Sequence, residues 1–344
     1  MAHLPFTRPS DFMRERDFGR KIEASFDFVR AHFRPLGASL LYIVLPLFLL
    51  QGIASGLLQA RLGGFLVSWR ASMIRGKANS AESLQQFSDM MSSPEYWVAV
   101  VGSLFSFTLL TLTVYGYLVL RLEKTDPTEP VTVREVWALV RSRFWGALAS
   151  FFGLALVMIV AVLGMATVLG LLSYLLQGNP ALVFFVIFAL YIGMAYIMVV
   201  LSLFFIVQLR ERTGFFATIA RCFSLVWGKW WSTFGLIVVM LLLLVMLIVV
   251  VYGLTSLISS PFAATPTQSP TALARVLSVV AACLNSVAML ALYPLLFLAL
   301  AFQYFNLVER KEGHGLYALV DSIGGQPESA ATPQSFRPED EGEY

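Results

Sequence analysis

The chain has 344 residues, 58% of them hydrophobic and 13% charged, with 24 Lys+Arg against 21 Asp+Glu and a net charge of +3. A soluble domain carries about a quarter charged residues, so this balance excludes one: that much apolar surface could not be hidden from water. No nucleic-acid partner is expected.

A helix needs about 20 apolar residues to cross a hydrocarbon layer ~30 Å thick. Six runs meet that need, at 38–60, 96–120, 148–176, 181–209, 234–259 and 276–305. The predicted fold class is therefore all-α, a polytopic membrane helical bundle forming a single membrane domain over 1–325. A membrane barrel would show alternating segments of about ten residues in place of these unbroken runs.

In chain order, a polar and amphipathic opening precedes the first span, so no cleavable signal is expected and that span reads as an uncleaved anchor. Pro46 removes a backbone donor from it. An outer loop at 61–95 separates it from the second span. Gln177, Gly178, Asn179 and Pro180 join the third and fourth spans in a tight turn, making them a transmembrane hairpin. The fifth span holds no small residue over 236–251, which places it at the periphery. The sixth contains Asn285 and Pro294, and lies nearer the interior. A short amphipathic helix around 316–323 follows, and then an acidic, Pro-rich tail at 326–344 expected to be disordered.

A basic, aromatic segment recurs before the first, third and fifth spans, at about 17–34, 131–145 and 214–231. Ile22, Phe26, Val29, His32 and Phe33 align without gaps on Val133, Trp137, Val140, Arg143 and Phe144, and on Ile219, Phe223, Val226, Lys229 and Trp230. The apolar positions fall at helical spacing, so each copy is expected to be an amphipathic interfacial helix with a basic position beside its apolar stripe. His32, Arg143 and Lys229 then form a candidate surface for anionic lipid headgroups or a protein partner; plain anchoring of the following span explains the same residues.

Loops kept in the cytoplasm carry the excess of Lys and Arg. Nineteen of these residues fall on the face that holds both termini and five on the other, among them Arg61, Arg70 and Arg275. Both termini are expected to be cytoplasmic, in a multi-pass protein of a bacterial inner membrane.

The run from Tyr304 through Asn306, Glu309, Arg310 and Gly313, followed by Gly315, Leu316 and Asp321 to Gly324, resembles the C-terminal signature of uncharacterised six-helix membrane proteins of Bacteroidetes. The layout of an amphipathic segment followed by two spans resembles, more distantly, the membrane domain attached to some glycerophosphodiester phosphodiesterases. The resemblance implies a fold and a location, with no activity and no catalytic residues to carry over.

Small residues at four-residue spacing mark close helix contacts: Gly52 with Gly56, Ala166 with Gly170, and Ala189 with Gly193. No Asp, Glu, Lys, Arg or His lies in the central part of a span, which disfavours a proton-driven pump. Asn285 is the candidate intramembrane polar site, able to bond a neighbouring helix or a bound solute. His3, His32 and His314 lack ligand-spaced partners, Cys222 and Cys283 are expected to stay unpaired, and no nucleophile turn or phosphate-cradling loop occurs. No catalytic residue, cofactor or metal is expected. The reading is a non-enzymatic membrane component that organises lipid, a protein partner or a homo-oligomer; the alternative is a transporter or carrier of a lipid or small solute.

Overall fold

The computed structural model describes residues 6, 9–74, 81–124, 126, 129–175, 179–259 and 272–313. The tail at 326–344 and the short helix expected at 316–323 lie outside them. Among the described residues there is no strand. The elements are α1 Pro9–Phe12, α2 Phe18–Ala31, α3 Phe33–Ser39, a π-helical turn Leu40–Val44, α4 Leu45–Ile74, α5 Ala81–Met91, α6 Pro94–Glu123, α7 Val133–Leu175, α8 Pro180–Leu201, α9 Phe204–Glu211, α10 Phe215–Val226, α11 Trp230–Ser259 and α12 Ala272–Glu312. Six stretches are long and apolar enough to span a membrane: Phe33–Gln59, Pro94–Glu123, Val133–Leu175, Val183–Glu211, Trp230–Leu257 and Arg275–Glu312. The protein is a multi-pass membrane helical bundle.

Local chemistry explains where helices start and break. Ser93 caps α6 by accepting the Tyr96 N–H, and Pro94 takes the first-turn place where a missing N–H costs nothing. The Leu45 N–H donates to the Leu40 carbonyl in the π-helical turn, and Pro46 follows with no N–H to continue the wider ladder, so α-helix resumes there.

The three amphipathic segments do not fold alike. The first and third form the separate helices α2 and α10, whereas the second is simply the beginning of α7. Gly228, at φ +77°, turns the chain between α10 and α11. Its aligned position in the second copy is Ser142, which strongly disfavours that left-handed conformation, so the helix runs on. At 43 residues α7 is about 65 Å long, roughly twice the hydrocarbon layer, and its first turns stand outside it.

The aligned apolar positions are only partly the buried ones. Val140 and Val226 are fully buried, but Phe26, Phe33 and Trp137 are exposed, and burial extends to positions one residue ahead: Lys21, Ser25 and Phe28 in α2, Val136 in α7, and Thr218, Cys222 and Leu225 in α10. The sequence missed these inward positions of α2 and α10 because they include Lys, Ser, Thr and Cys.

Helix α12 is the central element, packing along α4, α11, α6 and α2. Its tightest contact is with α4. A Cβ on Gly56 would lie 2.6 Å from the Val279 Cα, and one on Gly52 would lie 2.9 Å from the Ser286 Oγ. The GxxxG pair is thus an intramolecular face that lets two backbones approach. Gly170 and Gly193 do not act this way: a Cβ on either meets nothing within 4 Å. Their small size on the α7–α8 hairpin serves no helix contact among the described residues.

Toward the end that holds the chain termini the bundle is solid. Phe6, Phe12, Phe28, Phe302 and Phe305 are all fully buried, with Phe12 stacked on Phe302 at 6.3 Å between ring centres. Arg16 locks the N-terminal segment to α12: its backbone N–H donates to Asn306 Oδ1 at 2.8 Å, and its guanidinium donates to the Phe12 and Asp11 carbonyls and lies 5.1 Å above the Phe302 ring.

Candidate functional site

A cavity of about 290 Å³ opens between α4, α6, α11 and α12. Gln51, Ser55 and Gln59 line it from α4, Ser103 and Ser106 from α6, Tyr252 from α11, and Asn285, Ser286 and Tyr293 from α12. All of these lie within membrane-spanning stretches. They belong to the C-terminal halves of the spans Phe33–Gln59 and Trp230–Leu257 and the N-terminal halves of the spans Pro94–Glu123 and Arg275–Glu312, so the cavity occupies the half of the bundle away from the chain termini. No lining residue is ionisable at neutral pH. The wall offers carboxamides and hydroxyls, with Phe48, Phe107 and Met289 between them.

Two groups make this a built site. Asn285, 7% exposed, accepts a hydrogen bond from Thr255 Oγ1 at 3.0 Å through Oδ1, which fixes its rotamer against α11. Its two Nδ2 donors bond no other described residue. Ser106 is 1% exposed, and its hydroxyl has no hydrogen-bond partner among the described residues. Most helical hydroxyls here bond back to their own helix, as Thr108 does to the Leu104 carbonyl at 2.8 Å and Ser150 to the Gly146 carbonyl at 2.9 Å. A buried hydroxyl left without such a bond costs about 1–3 kcal/mol, and a bound polar group would recover it. The volume suits a small solute, or ~10 waters at about 30 Å³ each.

The residues singled out from the sequence occupy different environments. Asn285 stands in the cavity wall and also makes the interhelical bond expected of it. His32 is not part of an outer basic surface. It is 8% exposed, stacked on Phe28 at 4.6 Å and edge-on to Tyr117 at 5.9 Å, and burial holds its pKa below the ordinary value, so it is neutral at pH 7. In the two other copies the basic residue is on the surface: Arg143 and Lys229 are exposed. Trp145, Trp227 and Trp231, beside them in sequence, are 71%, 73% and 77% exposed.

Sequence reasoning missed two classes of residue. Ser106 carries no mark that separates it from hydroxyls satisfied by their own helix. Lys21, 3% exposed, sits where an apolar residue would be expected, and the only hydrogen-bond partner of its ammonium among the described residues is the Ser232 hydroxyl at 3.2 Å. A polar network ties the same end of the bundle together. Arg221 bonds Glu211 at 3.0 Å and also Glu312, the Tyr304 hydroxyl donates to Glu211 at 3.0 Å, and Arg212 pairs with Glu123 at 3.0 Å. These bonds join α9, α10, α12 and α6. Among the described residues no group of three His, Cys, Asp or Glu side chains is placed to hold a metal.

No protein-family model matches the chain, and no curated protein or solved structure matches it significantly.

Proposed function

We propose that this membrane protein is a carrier that takes up an uncharged polar solute in the cavity between α4, α6, α11 and α12. The observation that carries this reading is the pair of Asn285 donors that bond no other described residue, in a cavity wall of amides and hydroxyls that also includes Ser106, whose buried hydroxyl has no partner among the described residues. A wall of amides and hydroxyls with no ionised group replaces the hydration of a neutral hydrogen-bonding molecule and leaves a bare ion without a counter-charge. The half beyond the cavity is closed by buried aromatic residues. Pro294 lies between the last lining residue, Tyr293, and that closed half, where its missing N–H leaves the Leu290 carbonyl without its helical donor and gives α12 a point at which to bend.

The test is osmotic. Proteoliposomes are mixed rapidly with glycerol or inositol, and swelling is followed by light scattering for the wild type, Asn285→Leu and Arg143→Ala. Faster swelling with wild type and Arg143→Ala than with Asn285→Leu supports a carrier. Equal rates for all three, with no small molecule retained by the wild type in native mass spectrometry, would overturn it.

A second reading, that of a non-enzymatic lipid-organising component, is supported by the exposed Arg143 and Lys229 beside exposed tryptophans. It places that end of the bundle, with both termini, on the cytoplasmic side of an inner membrane, where anionic headgroups meet basic residues.

A further inference from the structure

The α2–α11–α12 junction holds a buried cation without a counter-ion. Lys21 projects from α2 toward the start of α11, and its ammonium donates to Ser232 Oγ at 3.2 Å. Burial brings its pKa down to about 8, helped by repulsion from Arg310, in the last turn of α12, and from Lys229, in the turn before α11. Asp17 acts on Lys21 from the start of α2 without reaching ion-pair distance, and Glu15 lies 3.7 Å from Arg310. Among the described residues no carboxylate pairs with the Lys21 ammonium. The first N–H groups of α11, a helix of 30 residues, have no acceptor in their own helix, and Ser232, which accepts from Lys21, lies in that first turn. Trp231, at the second position of α11, is 77% exposed, as an aromatic residue at headgroup level would be.

Leaving an ammonium buried against a neutral hydroxyl and two like charges is costly, and an anion is the group that relieves it. We propose that Lys21, Lys229, Arg310 and the N-terminus of α11 form a binding site for the phosphate group of an anionic membrane lipid. The lipid would lie against α11 with its phosphate over the helix start, bonded by Lys229 and Arg310 from outside and by Lys21 from beneath. The proposal rests on the second reading above, that this end of the bundle lies at a headgroup surface, and it is independent of the cavity.

The test uses the full chain in nanodiscs of phosphatidylcholine containing a minor fraction of phosphatidylglycerol, with retained lipid read by native mass spectrometry after transfer to detergent. The variants are Lys21→Met, Lys229→Ala with Arg310→Ala, Arg141→Ala at the exposed start of α7, and Asn285→Leu. Wild type, Arg141→Ala and Asn285→Leu are expected to retain phosphatidylglycerol over phosphatidylcholine. Lys21→Met and the double variant are expected to lose that preference at least tenfold. The double variant alters exposed residues, so it decides the matter even where Lys21→Met does not fold. Undiminished preference in the double variant overturns the site, as does an equal loss in Arg141→Ala, which would indicate diffuse attraction. Inorganic phosphate that protects the wild type in detergent, with no lipid preference in nanodiscs, would replace the lipid by free phosphate and overturn the stated occupant. Failure of the Asn285→Leu swelling test leaves all of these outcomes unchanged.

Discussion

Thr255 on α11 donates a hydrogen bond to Asn285 on α12 at 3.0 Å, both side chains being less than a tenth exposed within the membrane span. Asn285 is thereby both a tie between helices and a cavity wall, and the two roles separate by mutation. Thr255→Val keeps the shape and removes the donor, so it should lower stability in detergent by about 0.6–1.7 kcal/mol, the range measured for hydrogen bonds between membrane helices. Solute uptake should survive it. Asn285→Leu should abolish uptake, and SDS titration of unfolding beside the swelling assay distinguishes the two variants.

Ser106 predicts an opposition between stability and binding. With the cavity empty its hydroxyl is an unsatisfied buried group, so Ser106→Ala should leave the protein equally stable or raise stability by about 1 kcal/mol. The same substitution removes a group able to bond the solute and should weaken binding severalfold. A variant that loses stability and keeps full binding would contradict this account. Thermal unfolding with and without glycerol measures both.

The α4–α12 contact should tolerate no side chain at Gly56. Its Cβ would stand 2.6 Å from backbone, which cannot move aside as a flexible side chain can. Gly56→Ala should therefore cost about 1–3 kcal/mol, as overpacking of a close contact does. Gly170→Ala, at a position where a Cβ meets nothing within 4 Å, should be neutral or slightly stabilising through helix propensity. Unfolding midpoints of the two variants in one detergent make the comparison.

Lys21 predicts a dependence on pH. Its folded pKa, about 8, lies below the ordinary 10.5, so between those values the unfolded chain binds more protons than the folded one. Stability of the lipid-free protein should therefore rise with pH across that window. Below pH 8 both states hold the proton and the dependence fades. The rise should be reduced in Lys21→Met. Bound phosphatidylglycerol, which favours the charged ammonium, should flatten it in the wild type, and melting curves at pH 7, 8 and 9 with and without the lipid check both statements.

Orientation is tested by single cysteines. With Cys222 and Cys283 replaced by Ser, Lys229→Cys should react with a membrane-impermeant maleimide only after cells are opened, and Trp69→Cys, on the opposite side, in intact cells. The native Cys222 thiol should resist labelling in either case, since it is fully buried and burial pushes its pKa up to about 12.

Asn285 was legible in the sequence because a carboxamide in an apolar run has few uses other than a hydrogen bond. The contact face of Gly52 and Gly56 was legible too, whereas Ala166 with Gly170 and Ala189 with Gly193 show the same spacing on exposed positions, where a Cβ on either glycine meets nothing within 4 Å among the described residues. Small residues permit an approach; only a neighbouring helix makes one. His32 aligned with Arg143 and Lys229 by spacing, yet its helix turns it into the core against Phe28. A face is defined by what it meets, and the alignment carried no information about α12.

The sequence by itself determined that the chain is helical and crosses a membrane. Both follow from local quantities, the length of an apolar run and the cost of unpaired backbone in lipid. It also placed the polar group that now walls the cavity. Only the tertiary structure decided that α12 is the axis on which α2, α4, α6 and α11 meet, that polar residues from four distant segments share one space, and that Lys21 is buried without a counter-ion. In lipid the outside of a helix is as apolar as its neighbours, so hydrophobic pattern does not set the direction each side chain faces. That direction is fixed by close backbone contacts such as Gly56 on Val279, which exist only once the helices have packed.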